Sequence, residues 1–200
     1  MKKIRRFTLV ELLAVMAIIA ILSGIGFGAY TYANNKAKES ATESLMKQIE
    51  AGLESFHTKN GYYPSSGGNY SAVTFTVETD GTVSGVNFGG TPALTRYATP
   101  SNRTERMKNE IFESFTKALD LEVVKKHLNG SGELEDAWGG TIRYRAPGLF
   151  NTGSFDLISA GPDETFGNGN AANMTGFTGT DISKFRENDG TRLCDDLFNF

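Results

Sequence analysis

The chain is 200 residues long, 39% hydrophobic and 22% charged, which suits one domain with a real core and excludes a disordered chain. A formal net charge of -3 and a pI near 5.5 leave no footprint for nucleic acid, since no basic run occurs beyond the first six residues. The single cysteine, Cys194, excludes an intrachain disulfide, and His57 and His127 stand far apart with no ligating cluster around either.

The first element is MKKIRR, a cluster of positive charges, followed by a run that is almost wholly apolar from Leu12 to Gly28. A spanning helix needs about 20 such residues, so the length suffices, and the basic end should stay cytoplasmic with everything after about Tyr32 across the membrane. A cleaved secretory signal shares the basic start and apolar centre, but no small-x-small site closes this run and the helical pattern continues past it. One carboxylate, Glu11, interrupts the apolar stretch; in hydrocarbon it costs about 2.5 to 3.5 kcal/mol unless it is shallow, neutral or paired. Thr8 followed three residues later by Glu11 is also a capping box at a helix start. Gly24, Gly26 and Gly28 each weaken helix by about 1 kcal/mol relative to alanine, and Gly24-xxx-Gly28 permits close approach of another helix.

The sequence Phe7-Thr8-Leu9-Val10-Glu11 resembles the class III signal of type IV pilins and type II secretion pseudopilins. The resemblance implies a leader of residues 1–6 removed by prepilin peptidase between Arg6 and Phe7, N-methylation of Phe7, and pairing of Glu11 with the terminal amine of a neighbouring subunit during filament assembly. The family usually has glycine before the cut, where this chain has Arg6.

Beyond the apolar half, at 7–32, Ala41, Leu45, Ile49, Leu53 and Phe56 recur three or four residues apart, so an amphipathic helix is expected over 33–59, stopping at Asn60-Gly61. A variable region spans 60–104. Its opening Gly61-Tyr62-Tyr63-Pro64 resembles the turn where pseudopilins leave the long helix. Ala72 to Val77 and Val83 to Phe88 alternate as strands around Asp80-Gly81, a hairpin signal. From Gly89 to Asn102 the composition is loop-like. A helical period returns over 105–128, with Ile111, Phe112, Phe115, Ala118, Leu119, Leu121, Val124 and Leu128 on one face. Asp136-Ala137-Trp138-Gly139-Gly140 precedes a strand-like Thr141 to Arg145, and Ala146-Pro147-Gly148 makes a turn. This stretch resembles the Asp-Pro-Trp-Gly segment of the major pseudopilin, with Trp138 expected in the core.

Within 136–200, the β-sheet and C-terminal loop region, a strand from Phe155 to Ser159 opens FDLISAGPDETFG, which is similar to the family segment that begins a calcium-binding loop. The resemblance implies ligands at the main-chain carbonyl of Ala160 and at Asp163, with a return through Asp195 and Asp196; Asp181 is the alternative return. Calcium takes six to eight oxygens, which this donor set can supply, whereas Asp and Asn in a glycine-rich loop also serve simply as turn formers. Choosing the later return makes 168–194 an enlarged loop.

The expected fold is α+β and pilin-like: a long N-terminal helix packed on a small antiparallel β-sheet head. No nucleophile elbow, phosphate-binding loop or His/Cys metal spacing is present, and the adjacent Asp195 and Asp196 do not make an acid-base pair, so no enzyme is expected. The reading implied by the resemblance is a structural subunit of a type II secretion pseudopilus, a homo-oligomeric helical filament. Its partners would be prepilin peptidase/methyltransferase, an assembly ATPase, an inner-membrane platform and minor pseudopilins. The location would be the inner membrane, single-pass, with a periplasmic head. Alternatives are a type IV pilus subunit and a membrane-anchored binding domain.

Overall fold

One helix, α1, occupies Leu9–Asn60 in a computed structural model that describes residues 9–90, 92–163, 166 and 197–199, with backbone alone at 25–27. Contacts divide the chain into two units, Met1–Lys38 and Glu39–Phe200. In the first unit the large apolar side chains from Leu9 to Leu22 are exposed on every side of the helix. The helix is unbroken through 24–28, and Gly24 and Gly28 have nothing of this chain within 4 Å of an added Cβ. Helical hydrogen bonding therefore outweighs the propensity cost of the glycines.

In the second unit α1 buries Thr42, Leu45, Met46, Ile49, Gly52, Leu53 and Phe56. The expected stripe is present with one correction: Ala41 is exposed and Thr42 lies inside, because its hydroxyl accepts a hydrogen bond from Ala137 N at 3.0 Å. Gly52 is required by packing, since a Cβ there would lie 2.9 Å from both the ring and the carbonyl of Phe115. Asn60-Gly61 ends the helix as expected, with Gly61 at φ +79° donating to His57 O at 2.7 Å.

The remaining elements are β1 (Ser71–Ala72), β2 (Thr74–Val77), β3 (Val83–Asn87), β4 (Leu94–Thr95), α2 (Arg103–Thr116), α3 (Leu121–Lys126), β5 (Arg143–Arg145), β6 (Asp156–Ser159), a 3-10 turn at Gly161–Asp163 and β7 (Leu197–Phe198). The protein is α+β. Where one small sheet was expected there are two, a four-stranded β1-β5-β6-β7 and a three-stranded β2-β3-β4, antiparallel throughout.

The hairpin forms between β2 and β3, but Ala72 belongs to β1, paired with Arg143 rather than with β3. Its turn is a three-residue loop: Gly81 N donates to Glu78 O, Glu78 N donates to Thr82 O, and Gly81 sits at φ +82°. The segment expected as loop after Gly89 contains β4, and Asn109 of α2 braces it by bonding both the N–H and the carbonyl of Tyr97.

The expected helical face over 105–128 is split in two. Asp120 accepts from Glu122 N and Val123 N, capping a new helix after Thr116. Ala118, in the connection, is exposed as a result. Trp138 was expected inside and is only half-buried against the core, held in the turn after Asp136.

The core joins α1, both sheets, α2 and α3 in one cluster around Phe56, Phe75, Phe115, Tyr144 and Leu157. Two buried tyrosines tie its polar edge: Tyr144 donates to Pro64 O and Tyr70 donates to the Asp156 carboxylate, both at 2.7 Å. Burial raises the pKa of each, with Asp156 adding to the effect at Tyr70. A phenol whose folded pKa lies above its unfolded value near 10 stabilises the fold fully below pH 10, and that stability is lost as pH rises toward the folded value. Urea unfolding should therefore show stability falling above pH 10 by about 1.4 kcal/mol per pH unit for each tyrosine that remains protonated in the fold. A flat profile from pH 9 to 11 would refute this.

Candidate functional site

Glu11 lies in the first turn of α1, the end that complements a carboxylate through the helix dipole, and it is exposed together with its apolar neighbours. α1 is long and apolar enough, by length and composition, to cross a membrane. A helix that is apolar on all faces is stable in hydrocarbon or among other such helices, and leaves a large unfavourable surface in water. The processing residues Arg6 and Phe7 lie outside the described residues, as does Thr8 of the capping box.

At the other end of the chain, β6 runs into Ala160, which is buried, and the 3-10 turn then ends at Asp163, which is exposed. Asp181, Asp195 and Asp196 lie outside the described residues. Among the described residues no group of three or more His, Cys, Asp or Glu side chains is gathered to hold a metal. The chain end is nevertheless ordered onto the sheet: Leu197 pairs with Ser159 and Phe198 with Ile158, antiparallel. Asn199 extends that pairing with its side chain, Oδ1 accepting from Leu157 N at 2.7 Å and Nδ2 donating to Phe155 O at 3.1 Å. Because β6 and β7 are antiparallel, the chain leaves the sheet at Ala160 and re-enters at Leu197 from the same sheet end.

Two buried aspartates of the quoted motifs, neither assigned a role by the sequence, organise this region. Asp156 is fully buried beneath the turn at 147–151 and accepts four bonds: Tyr70 Oη at 2.7 Å, Leu149 N at 2.6 Å and Phe150 N at 3.0 Å on Oδ2, and Asn151 N at 2.9 Å on Oδ1. Gly148 is needed above it, since a Cβ would come within 2.5 Å of Oδ1. Arg145 lies over the Tyr70 ring at 5.5 Å. Asp136, 4% exposed, accepts Trp138 N and Gly140 N on Oδ1 and the Ser159 hydroxyl on Oδ2 at 2.6 Å. The signal available for both was an aspartate followed or preceded by a glycine turn, a spacing that also describes many solvent loops. Asp163 carries no such burial, so the three aspartates of these motifs separate into two that hold the fold and one that faces outward.

Compared with known proteins, residues 1–27 match the family described as the prokaryotic N-terminal methylation motif. The match covers the basic start, Arg6-Phe7, Glu11, Gly24 and Gly26, stops before Gly28, and leaves the second unit untouched. No curated protein and no solved structure matches the chain.

Proposed function

We propose that the chain is a structural subunit of a pilin-like filament, and that its form is the pseudopilus of type II secretion. The observation that carries the reading is Glu11 in the first turn of a helix apolar on every face, inside a matched methylation motif. A carboxylate at the start of such a helix has a use in assembly when the positive group of a neighbouring subunit meets it in the apolar phase, and a newly cut, methylated N-terminal amine is that group. Prepilin peptidase would cut between Arg6 and Phe7. An inner-membrane platform and assembly ATPase would then draw the subunit from the bilayer, leaving the second unit on the periplasmic side.

The pseudopilus form, over a surface pilus, is favoured by the motif order in the second unit: DAWGG before β5, FDLIS as β6, and β7 laid against β6 with Asn199 bonding Leu157. Peptide mass spectrometry of the membrane fraction tests the core of the reading. An N-methylated Phe7 is expected; a retained Met1, or a start beyond Gly24, would overturn it.

The same reading gives the C-terminal loop a calcium ion, held by the Ala160 carbonyl and Asp163 with Asp195 and Asp196, Asp181 being the alternative. The donors are all oxygens, as calcium requires, and the shared sheet end of Ala160 and Leu197 favours the later return over Asp181. Full-length protein in detergent micelles should melt higher in calcium than in chelator, by about 2.7 kcal/mol of added stability at a hundredfold excess over Kd. Identical melting curves would remove the ion from the proposal and leave the filament reading intact.

A further inference from the structure

Thr42 is the first buried side chain along α1 among the described residues, just past the division of the chain at Lys38 and Glu39. Its hydroxyl receives Ala137 N–H at 3.0 Å. The adjacent residue, Asp136, receives the Ser159 hydroxyl proton at 2.6 Å, and Ser159 Oγ in turn receives Gly161 N–H at 3.2 Å. Thr42, Ser159 and Asp136 are all buried, at 0%, 0% and 4% exposure, so water cannot substitute for a lost partner at any step. The sequence of bonds thus joins the assembly helix to the first residue of the turn that opens the C-terminal loop.

The geometry leaves little slack. Asp136 Oδ1 is taken by Trp138 N and Gly140 N, while Asp136 N donates to Gly140 O and Gly139 N to Asp136 O. A Cβ at Gly140 would lie 2.9 Å from Asp136 Oδ2, so the turn closes tightly on its own carboxylate. The direction of the bonds is fixed as well. A serine hydroxyl has one proton, and Ser159 gives it to a carboxylate that can only accept, so its lone pairs face Gly161 N–H. Charge-assisted bonds of this kind polarise their neighbours in a low dielectric, and consecutive links strengthen together.

We propose that Thr42, Asp136 and Ser159 form a reciprocal coupling device: order at the mouth of the C-terminal loop, at Gly161–Asp163, tightens the hold of the 136–140 turn on α1 at Thr42, and loosening at either end is felt at the other. The device stands on these bonds alone and does not require that calcium binds. It would let whatever orders the loop, ion or partner, act on the helix that assembles. By linkage the effect has the same size in both directions.

Hydrogen exchange of the full chain in detergent micelles tests it, each variant being read at the far end. In Thr42→Val, Gly161 N–H should exchange about fivefold faster, and in Ser159→Ala, Ala137 N–H should quicken by a similar factor, the lower end of ordinary coupling. Both factors are taken relative to Val83→Ala, a core truncation in the other sheet that reports general destabilisation. Thr42→Ser, which keeps the hydroxyl, should restore the parental rate at Gly161. Should the far-end amides move no more than in Val83→Ala, or Thr42→Ser behave as Thr42→Val does, the bonds are local staples and the coupling is refuted. If Thr42→Val fails to fold, Ser159→Ala read at Ala137 decides alone.

Discussion

Replacing Asp156 by alanine should cost about 4 kcal/mol or more, enough to remove most of the stability of a domain that typically holds only about 5 to 15. The figure follows from what is left behind. Three backbone N–H groups of a part-buried turn and the buried Tyr70 hydroxyl converge on one buried carboxylate, and an orphaned donor costs about 1 to 3 kcal/mol when buried and less where water reaches it. Small rearrangements of the 147–151 turn would recover part of that sum, so the lower end is expected. Asp156→Asn keeps the shape and one acceptor oxygen, and should fall between parent and alanine. The check is the urea midpoint of full-length protein in micelles at pH 7. An alanine variant within 1 kcal/mol of the parent would mean that the turn is not held by this carboxylate.

Glu11→Gln should lower filament recovery about tenfold or more while leaving membrane insertion unimpaired. The two effects have opposite signs for one physical reason. A carboxylate in hydrocarbon costs about 2.5 to 3.5 kcal/mol during insertion, so removing its charge eases entry to the bilayer. If Glu11 pairs as proposed, the same change takes away the partner of the incoming amine in the filament and leaves that cation uncompensated in an apolar interior, where breaking one side of an ion pair typically costs about 3 to 5 kcal/mol. A loss of about 1.4 kcal/mol is already tenfold. Sheared-filament recovery, normalised to the membrane-inserted pool, separates the two steps. Equal recovery of Glu11→Gln and parent would end the pairing role, even if Phe7 were found methylated.

These two acids show how unevenly function was legible in the chain. Glu11 stood out because the ten residues after it are all apolar, so one letter carried the signal. Asp156 did not stand out, because nothing in FDLIS says that Tyr70, many residues earlier, and three amides of a later-formed turn will meet at its side chain. Asp136 and Asp163 look alike in sequence, each an acid in a glycine-rich stretch, yet one is buried with three partners on its side chain and the other lies at the surface.

The sequence by itself determined the elements whose physics is local or periodic. The apolar first half and amphipathic second half of α1, its stop at Asn60-Gly61, the hairpin around Asp80-Gly81, the strands near Arg143 and Asp156, and the methylation motif all follow from spacing, turn chemistry or a contiguous signal, whereas the glycines at 24, 26 and 28 left open a break that the structure does not show. Tertiary structure alone decided the rest. Whether Ala41 or Thr42 faces inward depended on an amide from Ala137, and the break at 117–120 on a cap at Asp120. Ala72 left the hairpin for β5, and the last residues became the edge of a sheet begun at residue 71. Each of these outcomes is set by hydrogen-bond partners distant in the chain or by the geometry of a turn, for which a periodicity of two or of 3.6 residues has no term.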